Sequence, residues 1–125
     1  MLRLLLALAQ VGIPFQPTPP PSPALVEVNR TGEAYGQCLG AAAMRLSESD
    51  DPVETIVEAS WGACVAERAA AARSYQAYLE TVGTIVTVEQ VEQMFVQSRS
   101  EVSNRLAGCV AESRSRRAGN PPQAC

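Results

Sequence analysis

From Tyr35 to Cys109, apolar side chains return every three or four residues in three stretches divided by polar, turn-forming clusters, the period of amphipathic helices rather than strands. Tyr35, Cys38, Leu39, Ala42 and Leu46 make the first stripe, with Asn29 or Thr31 as its cap and an end near Ser47. Asp51-Pro52-Val53-Glu54 is a strong start signal: Asp51 caps, Pro52 suits the first helical position, and Glu54 can reach back to the cap backbone. A second helix is predicted from Pro52 to about Thr81, striped by Val53, Val57, Trp61, Cys64, Ala71, Tyr75 and Tyr78, with Gly83 as a left-handed stop. Thr87-Val88-Glu89-Gln90 repeats the capping-box pattern, Val86 can staple onto Val91, and a third helix follows on Val88, Val91, Phe95, Val102, Leu106 and Cys109. It fades through Arg114, Arg116 and Arg117, where positive charge suits a helix C-terminus, into Gly119-Asn120-Pro121-Pro122.

Short connections make successive helices antiparallel neighbours, so the expected fold is all-α: a three-helix antiparallel bundle, one helix short and two long, with disulfides. Cys38, Cys64, Cys109 and Cys125 form an even set in a chain of 125 residues, the usage of an oxidising compartment. Three of them sit in small-residue phrases, Tyr35-Gly36-Gln37-Cys38, Trp61-Gly62-Ala63-Cys64 and Ala107-Gly108-Cys109, and small neighbours permit the close approach that a disulfide needs. Counted from a turn at residues 49–51, Cys38 and Cys64 each lie about a dozen residues, roughly 18–20 Å, along their helices, and so share a level. Cys109, counted from the turn near Thr84, reaches nearly the same level, which leaves a Cys64–Cys109 bond open beside Cys38–Cys64. The segment from Ala118 to Cys125 can span roughly 26 Å, enough to fold back onto Cys109, and that reach favours Cys38–Cys64 with Cys109–Cys125.

The first nine residues carry a basic start, an apolar run from Leu4 to Leu8 and an Ala7-Leu8-Ala9 exit, the layout of a secretory signal. Residues 10–28 contain Pro-Phe-Gln-Pro-Thr-Pro-Pro-Pro-Ser-Pro and are expected to be a stiff linker, because proline removes helix donors. The division is therefore signal peptide 1–9, linker 10–28, helical domain 29–117 and C-terminal tail 118–125. Once the signal is removed no stretch of about 20 apolar residues remains to span a membrane. All ten basic residues are Arg, a composition associated with GC-rich bacterial genomes, so the expected location is the periplasm or the medium.

The net charge of −3 argues against a nucleic-acid partner. The chain has no His and no Cys-x-x-Cys pair, which removes His-based acid–base chemistry and the usual zinc and redox spacings; no metal, cofactor or catalytic residue is assigned, and an enzyme is the least favoured class. Glu54 and Glu58 lie one turn apart but read as an exposed acidic face, and Trp61, on the stripe beside Cys64, reads as core. Because the first helix is expected to be short, the far end of the long hairpin lacks cover, and Tyr75, Tyr78, Met94 and Phe95 are the candidate interface with another envelope protein or with a second copy.

The stretch from Ala34 to Arg68, with aromatic-Gly-x-Cys on each of two helices and Asp-Pro-Val-Glu opening the second, resembles uncharacterised small exported bacterial proteins that carry two cysteines in a helical hairpin. The resemblance implies a signal peptide and a Cys38–Cys64 staple, and it brings no activity or ligand. The reading is an exported helical module that binds another protein, with a structural or stress-protective envelope protein as the alternative. Mass spectrometry of the protein from its native host is expected to find Gln10 at the N-terminus; intact Met1 in a cytoplasmic fraction would overturn export.

Overall fold

A computed structural model describes residues 17–119; the signal segment 1–9, Cys125 and most of the tail lie outside them. Among the described residues there are five α-helices and no strand: α1 Pro23–Leu46, α2 Val53–Ala63, α3 Val65–Thr81, α4 Val88–Gln97 and α5 Arg99–Arg117. The expected three-helix bundle is thus corrected to five helices, because the second and third predicted helices are each broken once.

Both breaks lie at or near a serine whose hydroxyl donates to a helix carbonyl. Ser60 Oγ donates to the Ile56 carbonyl at 2.8 Å, Gly62 follows, and Cys64 then leaves helical geometry at φ −116°, ψ 32°. Side-chain competition of this kind and glycine both weaken a helix locally. At the second break Ser98 Oγ donates to the Phe95 carbonyl at 3.0 Å. The backbone at Ser98 sits at φ −84°, ψ 0°, and α5 restarts at once.

α1 begins at Pro23, well ahead of the expected cap at Asn29 or Thr31. Ser22 accepts the Leu25 amide and Pro23 occupies the first turn, so the last residues of the supposed linker are helix. Thr31 is buried mid-helix, where its hydroxyl meets Ser74 across the α1–α3 contact. At 24 residues α1 is about 36 Å long, where about 25 Å was expected. The cap of α2 also differs: Pro52 stands at its start without a side-chain bond, and the Asp51 carboxylate accepts instead from Ser49 Oγ at 2.9 Å. Thr87 and Gln90 form a reciprocal capping box. After α3, the Thr84 amide reaches the Leu79 carbonyl at 2.9 Å and Gly83, at φ 85°, that of Glu80, a Schellman stop.

Cross-helix pairs show how the elements run. Thr31 meets Ser74 and Cys38 meets Cys64, so α1 is antiparallel to α2 and α3; Trp61 meets Ser103 and Gln76 meets Val86, so α4 and α5 run back again. The core gathers Leu39, Ala42, Ala43, Ile56, Val57, Trp61, Cys64, Leu106 and Val110. Toward the far end, among the described residues, only Thr31, Ala71, Ala72 and Val91 are fully buried, which the Ala69–Ala72 run permits by close packing. Arg114 holds the α1–α2 turn, donating to the carbonyls of Ser47 at 3.2 Å, Ser49 at 2.8 Å and Asp51 at 2.7 Å, and Arg117 also donates to Ser47.

Cys38 bonds Cys64 with Cα atoms 6.0 Å apart. The alternative of Cys64 with Cys109 is therefore excluded; Cys109 is itself disulfide-bonded. Replacing Cys38 and Cys64 together with Ala is expected to cost about 2–5 kcal/mol in urea unfolding. Arg114→Ala should cost about 0.5–1.5 kcal/mol through the lost bonds to Ser49 and Asp51, Ser47 keeping Arg117 as donor; an unchanged urea midpoint would show that the turn holds without it.

Candidate binding groove

A groove of about 270 Å³ opens where α1 faces the two breaks. Its lining is Gly32, Tyr35, Gly36 and Leu39 from α1, Trp61 from α2, Ala71 from α3, and Phe95, Ser98 and Val102 around the second break. Its volume lies close to the lower end of the range usual for ligand pockets, roughly 300 Å³. The three rings are arranged as a set: Tyr35 meets Trp61 edge-on at 6.1 Å between centroids and stacks on Phe95 at 6.3 Å. Trp61 is nearly buried, and its Nε1 donates to Ser103 Oγ at 3.2 Å, which fixes the indole. Gly32 and Gly36, one turn apart on α1, leave the lip bare, and a Cβ at either would touch nothing within 4 Å.

Beside the groove, Tyr35, Trp61, Phe95 and Val96 join Arg68 and Arg99 around a hole of about 10 Å³. The Arg99 guanidinium stands 4.7 Å over the Trp61 ring and pairs with Glu58 at 3.3 Å. Arg68 Nε is buried, makes no hydrogen bond and lies 3.9 Å from the Glu92 carboxylate. The Tyr35 hydroxyl is likewise buried without a hydrogen-bond partner. Burial pushes the Tyr35 phenol above its ordinary value, and Arg68 and Arg99 offset part of that rise. At neutral pH the site therefore presents an O–H and guanidinium N–H groups, a set dominated by donors.

The four residues expected to form an interface do not make one patch. Tyr75 and Tyr78 stack on each other at 6.3 Å on α3 and are half-buried. Phe95 faces Tyr35 instead, and Met94 is exposed. The coverage argument fails because α1 continues for eight residues beyond its contact with Ser74, about 12 Å, which carries it alongside the end of α3. What stays bare there is the α3–α4 turn, with Ile85 92% exposed. The groove residues Tyr35, Arg68 and Arg99 were not singled out by the sequence, although the glycine spacing at 32 and 36 was available as a signal.

Glu67 lies with the sulfurs of Cys38 and Cys64, their ligand atoms within 4.8 Å of one another. Those sulfurs are joined to each other and carry no thiolate charge, so the group is a structural staple and not a metal centre. No helix among the described residues is long and apolar enough to cross a membrane. No family model, curated protein or solved structure matches this chain.

For the Tyr35 phenol the sign is clear: a folded-state pKa above the unfolded value gives stability that is complete below about pH 10 and is lost as pH rises through the folded value. A spectrophotometric titration is expected to show one phenol ionising above the ordinary range, and Tyr35→Phe to remove that step. Because the hydroxyl lacks a hydrogen-bond partner in the protein, the same substitution should leave stability at neutral pH unchanged or slightly raised; a loss above about 1 kcal/mol would mean that the hydroxyl is bonded in solution.

Proposed function

We propose that this is an exported protein-binding module of the bacterial envelope whose working surface is the groove between α1 and the two helix breaks. The observation that carries the reading is an open, aromatic-lined groove with a glycine lip. Pockets of this kind take one anchoring side chain of a partner, and such anchors carry most of the energy of protein association. The absence of His and of convergent catalytic groups in the groove favours binding over turnover. Export rests on the signal-like first nine residues and gains support from the Cys38–Cys64 bond, which persists in oxidising compartments.

The test uses the glycine lip. Since a Cβ at position 36 meets nothing within 4 Å, Gly36→Leu should be accepted by the helix and occupy the groove mouth, leaving stability unchanged or raised by up to about 1 kcal/mol, the helix propensity gained on replacing glycine. Affinity capture from the native envelope with the full chain should yield proteins retained by wild type and by Ile85→Ser, and lost with Gly36→Leu. Equal capture by wild type and Gly36→Leu would show that the groove is not the binding surface.

A further inference from the structure

We infer that the groove takes an acidic–apolar segment of a partner protein, its carboxylate entering beside Tyr35, Arg68 and Arg99 while a neighbouring apolar side chain lies on Phe95 and Trp61. This rests on the groove being the working surface and adds the chemistry of what fills it.

Two buried polar atoms, Tyr35 Oη and Arg68 Nε, have no hydrogen-bond partner, and their residues line the same hole of about 10 Å³. Both are donors beside a hole the size of one water, so a carboxylate oxygen entering it would accept charge-assisted bonds, which are stronger than the neutral ones a water offers. Arg68 can only donate and the phenol can donate, which selects an oxygen acceptor over an amide or ammonium nitrogen. The hole admits a single oxygen-sized atom, as a carboxylate presents one oxygen at a time.

Charge points the same way. Arg68 and Arg99 both flank the hole, and their present partners hold them loosely: Glu92 is 3.9 Å from Arg68, and Glu58, at 3.3 Å from Arg99, is itself 74% exposed. Partly exposed pairs of this kind are weak, so an incoming carboxylate that gains charge-assisted bonds in a drier setting displaces little. The adjoining groove is apolar, and with no Cβ on Gly32 or Gly36 a partner backbone can lie directly on α1. A segment with an acidic residue beside an apolar one matches hole, groove and lip together, where a free small acid would leave the lip unused.

Trp61, the only Trp, lines both spaces and reports occupancy through its fluorescence. The probe is an array of blocked hexapeptides with one Glu set among apolar residues, paired member by member with a Gln array, screened against the full disulfide-bonded chain and quantified by Trp61 emission. Glu peptides should bind, and their Gln counterparts should bind about ten- to a hundredfold more weakly, the loss that a charge-assisted hydrogen bond carries. Tyr35→Phe, which removes one oxygen, and Arg68→Gln should each erase most of that preference while leaving the weak Gln-peptide binding in place. Equal binding by the two arrays, binding by neither, or a preference that survives Tyr35→Phe and Arg68→Gln would overturn the inference. The module reading fails separately, if envelope capture is insensitive to Gly36→Leu; capture that depends on the groove but is not competed by Glu peptides would sink only the carboxylate.

Discussion

The bond between Cys38 and Cys64 ties the middle of α1 to the point where α2 gives way to α3. It closes a loop of 26 positions, which on the chain-entropy estimate destabilises the unfolded state by about 3–4 kcal/mol. The core it supports is modest, since the largest fully buried side chains are Ile56, Val91 and Val110. Domains of this size gain little from burial alone, and a crosslink is the usual remedy. It also sets register. Tyr35 and Trp61 each stand three residues ahead of a bonded cysteine, so the staple that secures the fold also holds two walls of the groove.

The molecule is uneven along its length. Around the staple the core draws on α1, α2 and α5, whereas the far end, built from the first half of α1, α3 and α4, relies on Ala71, Ala72 and Val91. The groove lies where these regions meet, beside both helix breaks. The wall formed by Phe95 and Ser98 belongs to the thinner region, at the end of α4, whereas Trp61 and Leu39 belong to the stapled core.

Hydrophobic periodicity and turn chemistry made the helical class, the α3–α4 turn, the capping box at Thr87 and the buried Trp61 legible in the sequence. Periodicity could not show the breaks, because each occupies a single residue, Cys64 and Ser98, and apolar positions continue on both sides of it. Ser22-Pro23 is an ordinary helix start, but at the end of a proline run it reads as more linker, and that misplacement shortened α1 and left Tyr75 and Tyr78 without the cover that keeps them half-buried. Asp51 failed as a cap for a related reason: Ser49, two residues away, offered its carboxylate a closer donor. The groove was the hardest feature to foresee. Tyr35, Trp61 and Phe95 lie on three different predicted stripes, and a stripe says that a ring faces inward without saying that it meets two others, or that its hydroxyl goes unpaired.

The clamp on the α1–α2 turn is drawn from the other end of the chain. Arg114 reaches carbonyls 63 to 67 residues earlier, against a separation of 26 for the crosslinked cysteines. In a chain made from its N-terminus, Cys38 and Cys64 are therefore both present while α5 is still to come, and the first oxidation partner available to Cys64 is the native one. The order of synthesis guards against the Cys64–Cys109 pairing that helix levels alone would have allowed. Arg114 then fastens a turn whose two helices are already joined, so a contact spanning half the chain closes over a small remaining loss of chain freedom.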